Sequence, residues 1–416
     1  MGNLWKRLGP GLVTGASDDD PAGIATYTIA GASLGYATLW TAVVTLPLMA
    51  AVQLVCARIG LASGGGLTAA MRRRYPRALI VTFCVMLTGA NVFNIAADLR
   101  AMGDAVEMLI RLPSAIGVVG FGALAVAFTI YSSYATFAKY VKWSAMTLLA
   151  YVVAAFLANP PWPHVLAVTL VPPPAWSKQY FTTVLAIFGT TISPYLFFWQ
   201  ASSEVESEKA LGRRTRASRR GATETELAEA RDDVAAGVTL SNLVCYFIIV
   251  TAASTLFRAG QRDIETTHQA AEALKPLAGN AAYALFAIGL IGSGLLAIPV
   301  LAGSASFAIA ELLGWPAGLN EPFRRARRFY VVFGAAVAVG VGLVVLHISA
   351  MRMLFLSAIV NGLAAPPLLL VIMLLANNKR VMGNCVNTPI LNVLGWLATV
   401  LMWIAAAGVL ITNLIT

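Results

Sequence analysis

The sequence predicts an all-α integral membrane protein, an inverted repeat of two five-span halves plus an eleventh span, with spans one and six broken at mid-membrane. Three observations lead there. The chain is 58% hydrophobic and 12% charged with a mean hydropathy of +0.76, whereas soluble domains carry roughly 25% charged residues. Eleven apolar runs are long enough to cross hydrocarbon about 30 Å thick, which takes roughly 17 to 25 helical residues. The first and sixth runs each carry a proline among small polar residues at matching places in the two halves, the pattern of an inverted-repeat transporter with a midplane site.

The first run, about 11 to 33, contains SDDDPAGIA at Ser17 to Ala25. Pro21 lacks an amide donor and interrupts the helical ladder, and Gly23 permits torsions that other residues resist. The helix is therefore expected to unwind here. Freed carbonyl oxygens survive in lipid only where they line a cavity. An ionised carboxylate at mid-membrane costs about 2.5 to 3.5 kcal/mol, so Asp20 must face a cavity, a partner or an ion. Carbonyls plus one carboxylate make a cation site. In a second reading, Asp18 or Asp19 caps a helix that begins just inside the membrane surface.

Runs at about 37 to 60, 78 to 110, 115 to 135 and 143 to 159 complete the first repeat, 11 to 159. In the third, Asp98 and Arg100 are too close along one helix to face each other, so either pairs with another span or, for Asp98, lines the pathway. Asp104 and Glu107 lie one turn apart near its outer end. The proline-rich stretch 160 to 178 reads as an outer loop that packs and anchors.

The second repeat, 180 to 376, opens with IFGTTISPYLFFWQASSEVE, which places Gly189, Thr190, Thr191, Ser193 and Pro194 inside an apolar run of about 180 to 203. Residues 204 to 233 read as a charged inner connection, part helix and part flexible, whose arginines touch anionic lipid. Glu204 and Glu206 form an acidic vestibule or face the basic residues that follow. Runs at about 234 to 257, 280 to 312, 329 to 350 and 352 to 376 complete the repeat, and 389 to 414 is the added span. Asn361, before AAPP, is a helix-packing amide or a contact to the ion or its water.

Basic residues mark the cytoplasmic ends of spans. Of the 29 Lys and Arg, only Arg111, Lys178, Arg258, Arg262, Lys275 and Arg352 fall outside when the N-terminus is inside, and Arg100 stays within a span. This orientation puts the C-terminus outside. The net charge of +10 follows the inner ends of spans, where anionic headgroups lie, and nucleic acid is not an expected partner. Cys56, Cys84, Cys245 and Cys385 lack CxxC spacing and read as small buried hydrophobes. No cleavable signal peptide is expected, because the first apolar run carries the aspartates. Without a phosphate loop, an HExxH helix or a soluble catalytic domain, the chain does not read as an enzyme.

Taken together, GPGLVTGASDDDPAG, LWTAVVTLPLMAAVQLVCARIGLASGGGLTAAMRRRYP and GTTISPYLFFWQ resemble the NRAMP divalent-metal transporters with their DPGN and MPH motifs. The resemblance spans essentially the whole chain. It implies a LeuT-like fold and divalent-cation transport without a cofactor. Asp20 and Pro21 match the first motif, but Ala22 and Gly23 stand where Gly and the metal-binding Asn would be. In the second motif Pro194 is kept, Ser193 replaces methionine, and Tyr195 replaces histidine.

These departures point to the NRAMP-related magnesium transporters. A thioether favours transition metals, whereas Mg²⁺ takes oxygen ligands and keeps several waters. Within the resemblance, Asp20 is the charged ligand or outer anchor. Backbone oxygens near Ala22, Gly23, Gly189 and Thr190 serve with it, and the Ser193 hydroxyl is a further candidate. Asn91 and Asn94 occupy places where the family has Asp and Glu, and Tyr195 and Gln200 places where it has histidines. None of the four titrates near neutrality. His164, His268 and His347 lie elsewhere.

The expected function is passive, uncoupled movement of Mg²⁺, and also Mn²⁺, by a monomer in a bacterial inner membrane. A proton path through Asp98, Asp104, Glu107 or Glu204 stays open, as does a proton-coupled Mn²⁺ or Fe²⁺ transporter. A carrier of organic solutes would bind an amine at Asp20 and line its pocket with Tyr195, Phe197, Phe198 and Trp199. A channel without alternating access is a fourth reading.

Overall fold

The break in span one is two residues wide. Helix α1 (Pro10–Asp18) ends at Asp19 (φ −81°, ψ 49°), Asp20 is extended (φ −70°, ψ 171°), and Pro21 starts helix α2 (Pro21–Leu34). Proline suits that first position, where the missing amide has no helical partner to lose. Asp20 caps α2, its Oδ1 accepting from the Gly23 amide at 2.7 Å. The third aspartate thus sits in the break and also caps the following helix, a task that the second sequence reading gave to Asp18 or Asp19. Gly23 does not supply the irregular torsion. It lies in the first turn of α2 without a positive φ.

A computed structural model describes residues 9–131, 149–173, 177–346 and 348–415. After α2 come α3 (Trp40–Ser63), α4 (Arg77–Ile110), α5 (Ser114–Tyr131), α6 (Ala150–Leu157) and α7 (Trp162–Leu170). The second half opens with α8 (Lys178–Thr191) and α9 (Pro194–Ala210), separated by Ile192 and Ser193, again with proline first in the second half-helix. It continues with α10 (Glu224–Ala252), α11 (Ala282–Leu313), α12 (Arg327–Leu343) and α13 (Ala350–Ala376), and α14 (Pro389–Ile415) is added. No strand occurs among the described residues.

Among the described residues, eight helical stretches are long and apolar enough to cross a membrane, counting α8 with α9 as one. The other three expected spans have physical explanations. Span one is split into two short halves, and α12 ends at Leu343, after which Val344–Leu346 tightens to a 3₁₀ turn. Span five shows only α6, because 143–148 lie outside the described residues, as do Lys139, Lys142 and His347. Along α14, Ile390, Val393, Leu397, Val400, Ile404 and Ile411 are exposed at helical spacing, the stripe a lipid-facing span presents.

Packing divides the helices into two groups. One consists of α1, α2, α3, α8, α9 and α10. In the other, α4 contacts α5, α11 and α12, and α11 contacts α12. Between the groups, α9 packs directly on α11, and α13 touches α8, α2 and α4. Within the first group α1 lies backbone against backbone on α10, because a Cβ on Gly11 would strike Val234 and one on Gly15 would strike Gly237.

Two loop readings need correction. The outer stretch 160 to 178 contains α7, whose Val165 is buried and whose Thr169 hydroxyl meets that of Tyr246 at 3.0 Å. The inner connection is shorter and more folded than its charge suggested. Thr223 and Glu226 form a capping box that starts α10, Arg213 bridges Glu208 and Glu226, and the Gly221 amide reaches the Ala62 carbonyl at 3.1 Å. Arg100 pairs with Asp104 on its own helix at 3.2 Å rather than with another span.

Gly237→Val should push α1 off α10 and cost about 1 to 3 kcal/mol by overpacking. Thermal unfolding in detergent should show a lowered midpoint, with none for Gly120→Val on the open face of α5, where a Cβ meets nothing.

Candidate metal-ion site at the two helix breaks

Both breaks bring together the C-terminal end of one half-helix and the N-terminal end of the next. C-terminal ends concentrate carbonyl oxygens and partial negative charge, so α1 and α8 favour a cation between them. Asp20 stands at the centre. Its Oδ2 accepts from Asn94 Nδ2 at 3.1 Å and lies 3.5 Å from the Tyr195 hydroxyl oxygen. Asn94 Nδ2 also donates to Asp98 Oδ2 at 3.1 Å, and Asn94 Oδ1 accepts from Asn361 Nδ2 at 3.2 Å. Tyr195 ties the breaks together by donating to the Ser17 carbonyl at 2.9 Å.

Asp18 and Asp19 turn the other way, toward α10. There the single Ser241 hydroxyl lies 2.6 Å from Asp18 Oδ2 and 3.2 Å from Asp19 Oδ1. One hydroxyl hydrogen cannot serve two carboxylates at once. Asp18, Asp19, Asp20 and Asp98 are all at most 2% exposed, so the break is closed to solvent. Among the described residues none of the four forms an ion pair, and Asp18 Oδ1 and Asp98 Oδ1 have no hydrogen-bond partner. No group of three or more His, Cys, Asp or Glu side chains that could hold a metal ion occurs among the described residues. A cation here would depend on one carboxylate with carbonyl, amide and water oxygens.

The expected residues do not all converge. Asp20, Asn94, Asp98, Tyr195 and Asn361 form one network. Gly23 faces it, for a Cβ there would lie 3.1 Å from the Asp18 carbonyl and 3.3 Å from Thr190 Oγ1. Asn91 points elsewhere, donating to the Leu301 carbonyl at 2.9 Å and to Ser304 at 2.7 Å on α11. The carbonyls of Ala22 and Gly23 fall in the first turn of α2, where a helical carbonyl bonds the amide four residues on. The oxygens freed by the break are those at the end of α1 instead.

At the second break, Ser193 Oγ lies 2.6 Å from the Gly189 carbonyl and 2.8 Å from the Thr190 carbonyl, the oxygens expected to be ligands, and its one hydrogen can serve either. Each carbonyl keeps a second lone pair. Gly189 is glycine because α13 crosses there, its Ala358 carbonyl and Gly362 backbone occupying the space a Cβ would need. Gln200 lies below the break, between Thr14 Oγ1 and Glu204, with Nε2 2.8 Å from Glu204 Oε1. Phe197, Phe198 and Trp199 are at most 1% exposed, and Trp199 packs edge-on against Phe307. They fill core rather than line a solute pocket.

Two features escaped the sequence reading. Ser241 was a missed partner of the aspartate triplet, and its signal was the polar pair Ser241–Asn242 inside an otherwise apolar run. Asp233 accepts from the amides of Gly9 at 2.8 Å, Gly11 at 2.6 Å and Leu12 at 3.2 Å, anchoring the N-terminus of α1 to α10.

Comparison with known proteins agrees with this architecture. The family model described as natural resistance-associated macrophage protein-like matches residues 11–412. A divalent metal cation transporter MntH of Yersinia enterocolitica is 26% identical, over 98% of this chain and 95% of its own. A Granulibacter bethesdensis MntH is 24% identical, over 99% and 88%. Among solved structures, an Eremococcus coleocola manganese transporter superposes with a TM-score of 0.75 at 19% identity, covering 98% of this chain and 88% of that one. Mhp1, a nucleobase-cation-symport-1 family transporter in a closed conformation, gives 0.58 at 13% identity, covering 97% and 92%. These likenesses show the LeuT-like inverted-repeat fold expected from the resemblance, and the match along almost the whole chain shows that it belongs to the Nramp family.

Proposed function

We propose that this chain is a secondary transporter of divalent metal cations that carries Mg²⁺ and also Mn²⁺ through the double break by alternating access, without proton coupling. The observation that carries this reading is the donor set. Asp20, Asn94, Asp98, Tyr195, Asn361, Thr190 and Ser193 bring oxygen and amide groups to the break and no thioether or imidazole. Hard, partly hydrated ions suit such donors. Gly23 lets the oxygens of both breaks draw close, since a Cβ there would lie 3.1 Å from the Asp18 carbonyl and 3.3 Å from Thr190 Oγ1. An inward-negative potential of 100 mV would supply about 4.6 kcal/mol for a doubly charged ion, twice the single-charge value.

Proton-coupled Mn²⁺ transport is the second reading, and Asp98 favours it. This buried carboxylate is linked to Asp20 through a single Asn94 amide, and the manganese transporters among the similar proteins share the fold. Flux in liposomes separates the two. Mg²⁺ entry without acidification supports the uncoupled magnesium reading, whereas Mn²⁺ entry accompanied by protons and no Mg²⁺ flux supports the second.

Asp20→Ala should lower Mg²⁺ and Mn²⁺ flux at least 100-fold while the purified protein stays monodisperse; flux like that of the unaltered chain would remove Asp20 from the site. Ser193→Met with Gly23→Asn should shift preference toward Mn²⁺ about tenfold, roughly 1.4 kcal/mol. The asparagine needs its neighbours to give by a few tenths of an ångström, given the 3.1 Å approach to the Asp18 carbonyl. An unchanged Mg²⁺ to Mn²⁺ ratio in competition flux would assign selectivity to the surrounding cavity instead.

A further inference from the structure

At its inner end α9 reaches across to the second helix group through a polar clasp. In the last turn of α9, Lys209 Nζ donates to Glu206 Oε1 at 2.6 Å and to the Ala317 carbonyl at 2.7 Å. Glu206 Oε2 accepts from the Asn320 amide at 3.3 Å. The pair is sheltered, its lysine and glutamate side chains 19% and 1% exposed. Gly318 is shaped for it. Its φ of +151° is one that other residues rarely adopt, and a Cβ there would lie 2.6 Å from Glu206 Oε1.

The segment so clasped belongs to the other group. It leaves α11 and leads into α12, whose Tyr330 hydroxyl lies 3.0 Å from the Glu321 carbonyl and whose Arg328 guanidinium lies 5.1 Å from the centre of the Trp315 ring. Glu311 of α11 likewise takes the amides of Gly66 at 2.8 Å and Ala69 at 3.0 Å, in the turn that leads into α4 of its own group.

Beneath the clasp the two groups are not closely packed. Higher up, Trp199 of α9 lies edge-on to Phe307 and against Gly303 of α11. Toward the inner end a cavity of about 400 Å³ opens between the helices, walled by Ser202 and Val205 from α9 and by Phe307 and Glu311 from α11, with the clasp residues along its edge. Parting here costs few apolar contacts, and water can replace the hydrogen bonds that are lost. We propose that Glu206 and Lys209 form the inner latch of the transport cycle, holding α9 to the segment after α11 while the cytoplasmic side is closed and releasing it when the helix groups part. The inference rests on the alternating-access reading above and is independent of which ion is carried.

Labelling of Ser202→Cys by a membrane-impermeant thiol reagent on the cytoplasmic side tests the latch. Ser202 is 2% exposed and lies about 10 Å deeper along α9 than Lys209, at 1.5 Å per residue. The four native cysteines are buried and report unfolding in the same variants without Ser202→Cys. Lys209→Met, Glu206→Gln and Gly318→Ala should each raise the labelling rate about tenfold, the scale of losing charge-assisted hydrogen bonds. Lys209→Arg keeps the charge and should stay near the starting rate. Unchanged labelling in the first three variants would overturn the latch, as would equal rates in Lys209→Arg and Lys209→Met. Divalent-ion flux measured in parallel separates the two proposals. Flux with unchanged labelling leaves the transport reading standing without the latch, whereas raised labelling in a chain that moves no divalent ion upholds the latch and removes the cargo.

Discussion

Four carboxylates buried without a basic partner set the terms for the rest of this structure. Asp18, Asp19, Asp20 and Asp98 lie within a membrane-spanning core, where an uncompensated charge is among the most expensive things a protein can hold. Nearby features reduce that cost by supplying donors. The Gly23 amide meets Asp20 at the start of α2, Asn94 is shared between Asp20 and Asp98, and Ser241 is shared between Asp18 and Asp19. The donors are too few for the acceptors. The shortage leaves a place for positive charge, and the carbonyl ends of α1 and α8 point the same way.

Around this deficit the two broken spans are linked by polar contacts. Tyr195 joins α9 to the last turn of α1, Gln200 joins Thr14 to Glu204 further down, and Asp233 holds the first amides of α1. Above the break, α13 packs so closely on α8 that Gly189 has no space for a side chain, and from the same helix Asn361 enters the network of Asn94. The residues of this network therefore come from both helix groups, with Asp20 and Tyr195 on one side, Asn94 and Asp98 on the other, and Asn361 between them. A relative movement of the groups would dismantle the network, as alternating access requires of a midplane site.

Much of this was legible in the sequence because the governing signals are local. A proline among small polar residues inside an apolar run marks a broken span, so Pro21 and Pro194 located both breaks. Pro47, Pro299, Pro366 and Pro367 sit instead within continuous helices. An aspartate at mid-membrane is a functional candidate on energetic grounds alone, and Asp20 sits where that argument put it. What could not be read depends on helix rotation. Asn91 and Asn94 are neighbours in sequence, yet one faces α11 and the other faces Asp20. Nothing in their spacing distinguishes these directions. The Ser193 hydroxyl could be foreseen at the break, but not its use on the Gly189 and Thr190 carbonyls, which depends on local torsions. Gly23 looked like a source of torsional freedom and proved, like Gly189, to be a site of close approach, because a glycine in sequence does not say whether it supplies torsion or space.

The glycine crossing between α1 and α10 has a mechanical consequence. Where Gly11 and Gly15 meet Val234 and Gly237, backbone rests on backbone, with no side chain between to change rotamer and act as a bearing. With the Asp233 clamp at its foot, α1 is fastened along its length to a much longer helix. A lever so fastened does not swing alone. If the inner half of span one moves to release cargo, α10 must travel with it, and the stroke is set by the long helix while the compliant joint is confined to Asp19 and Asp20.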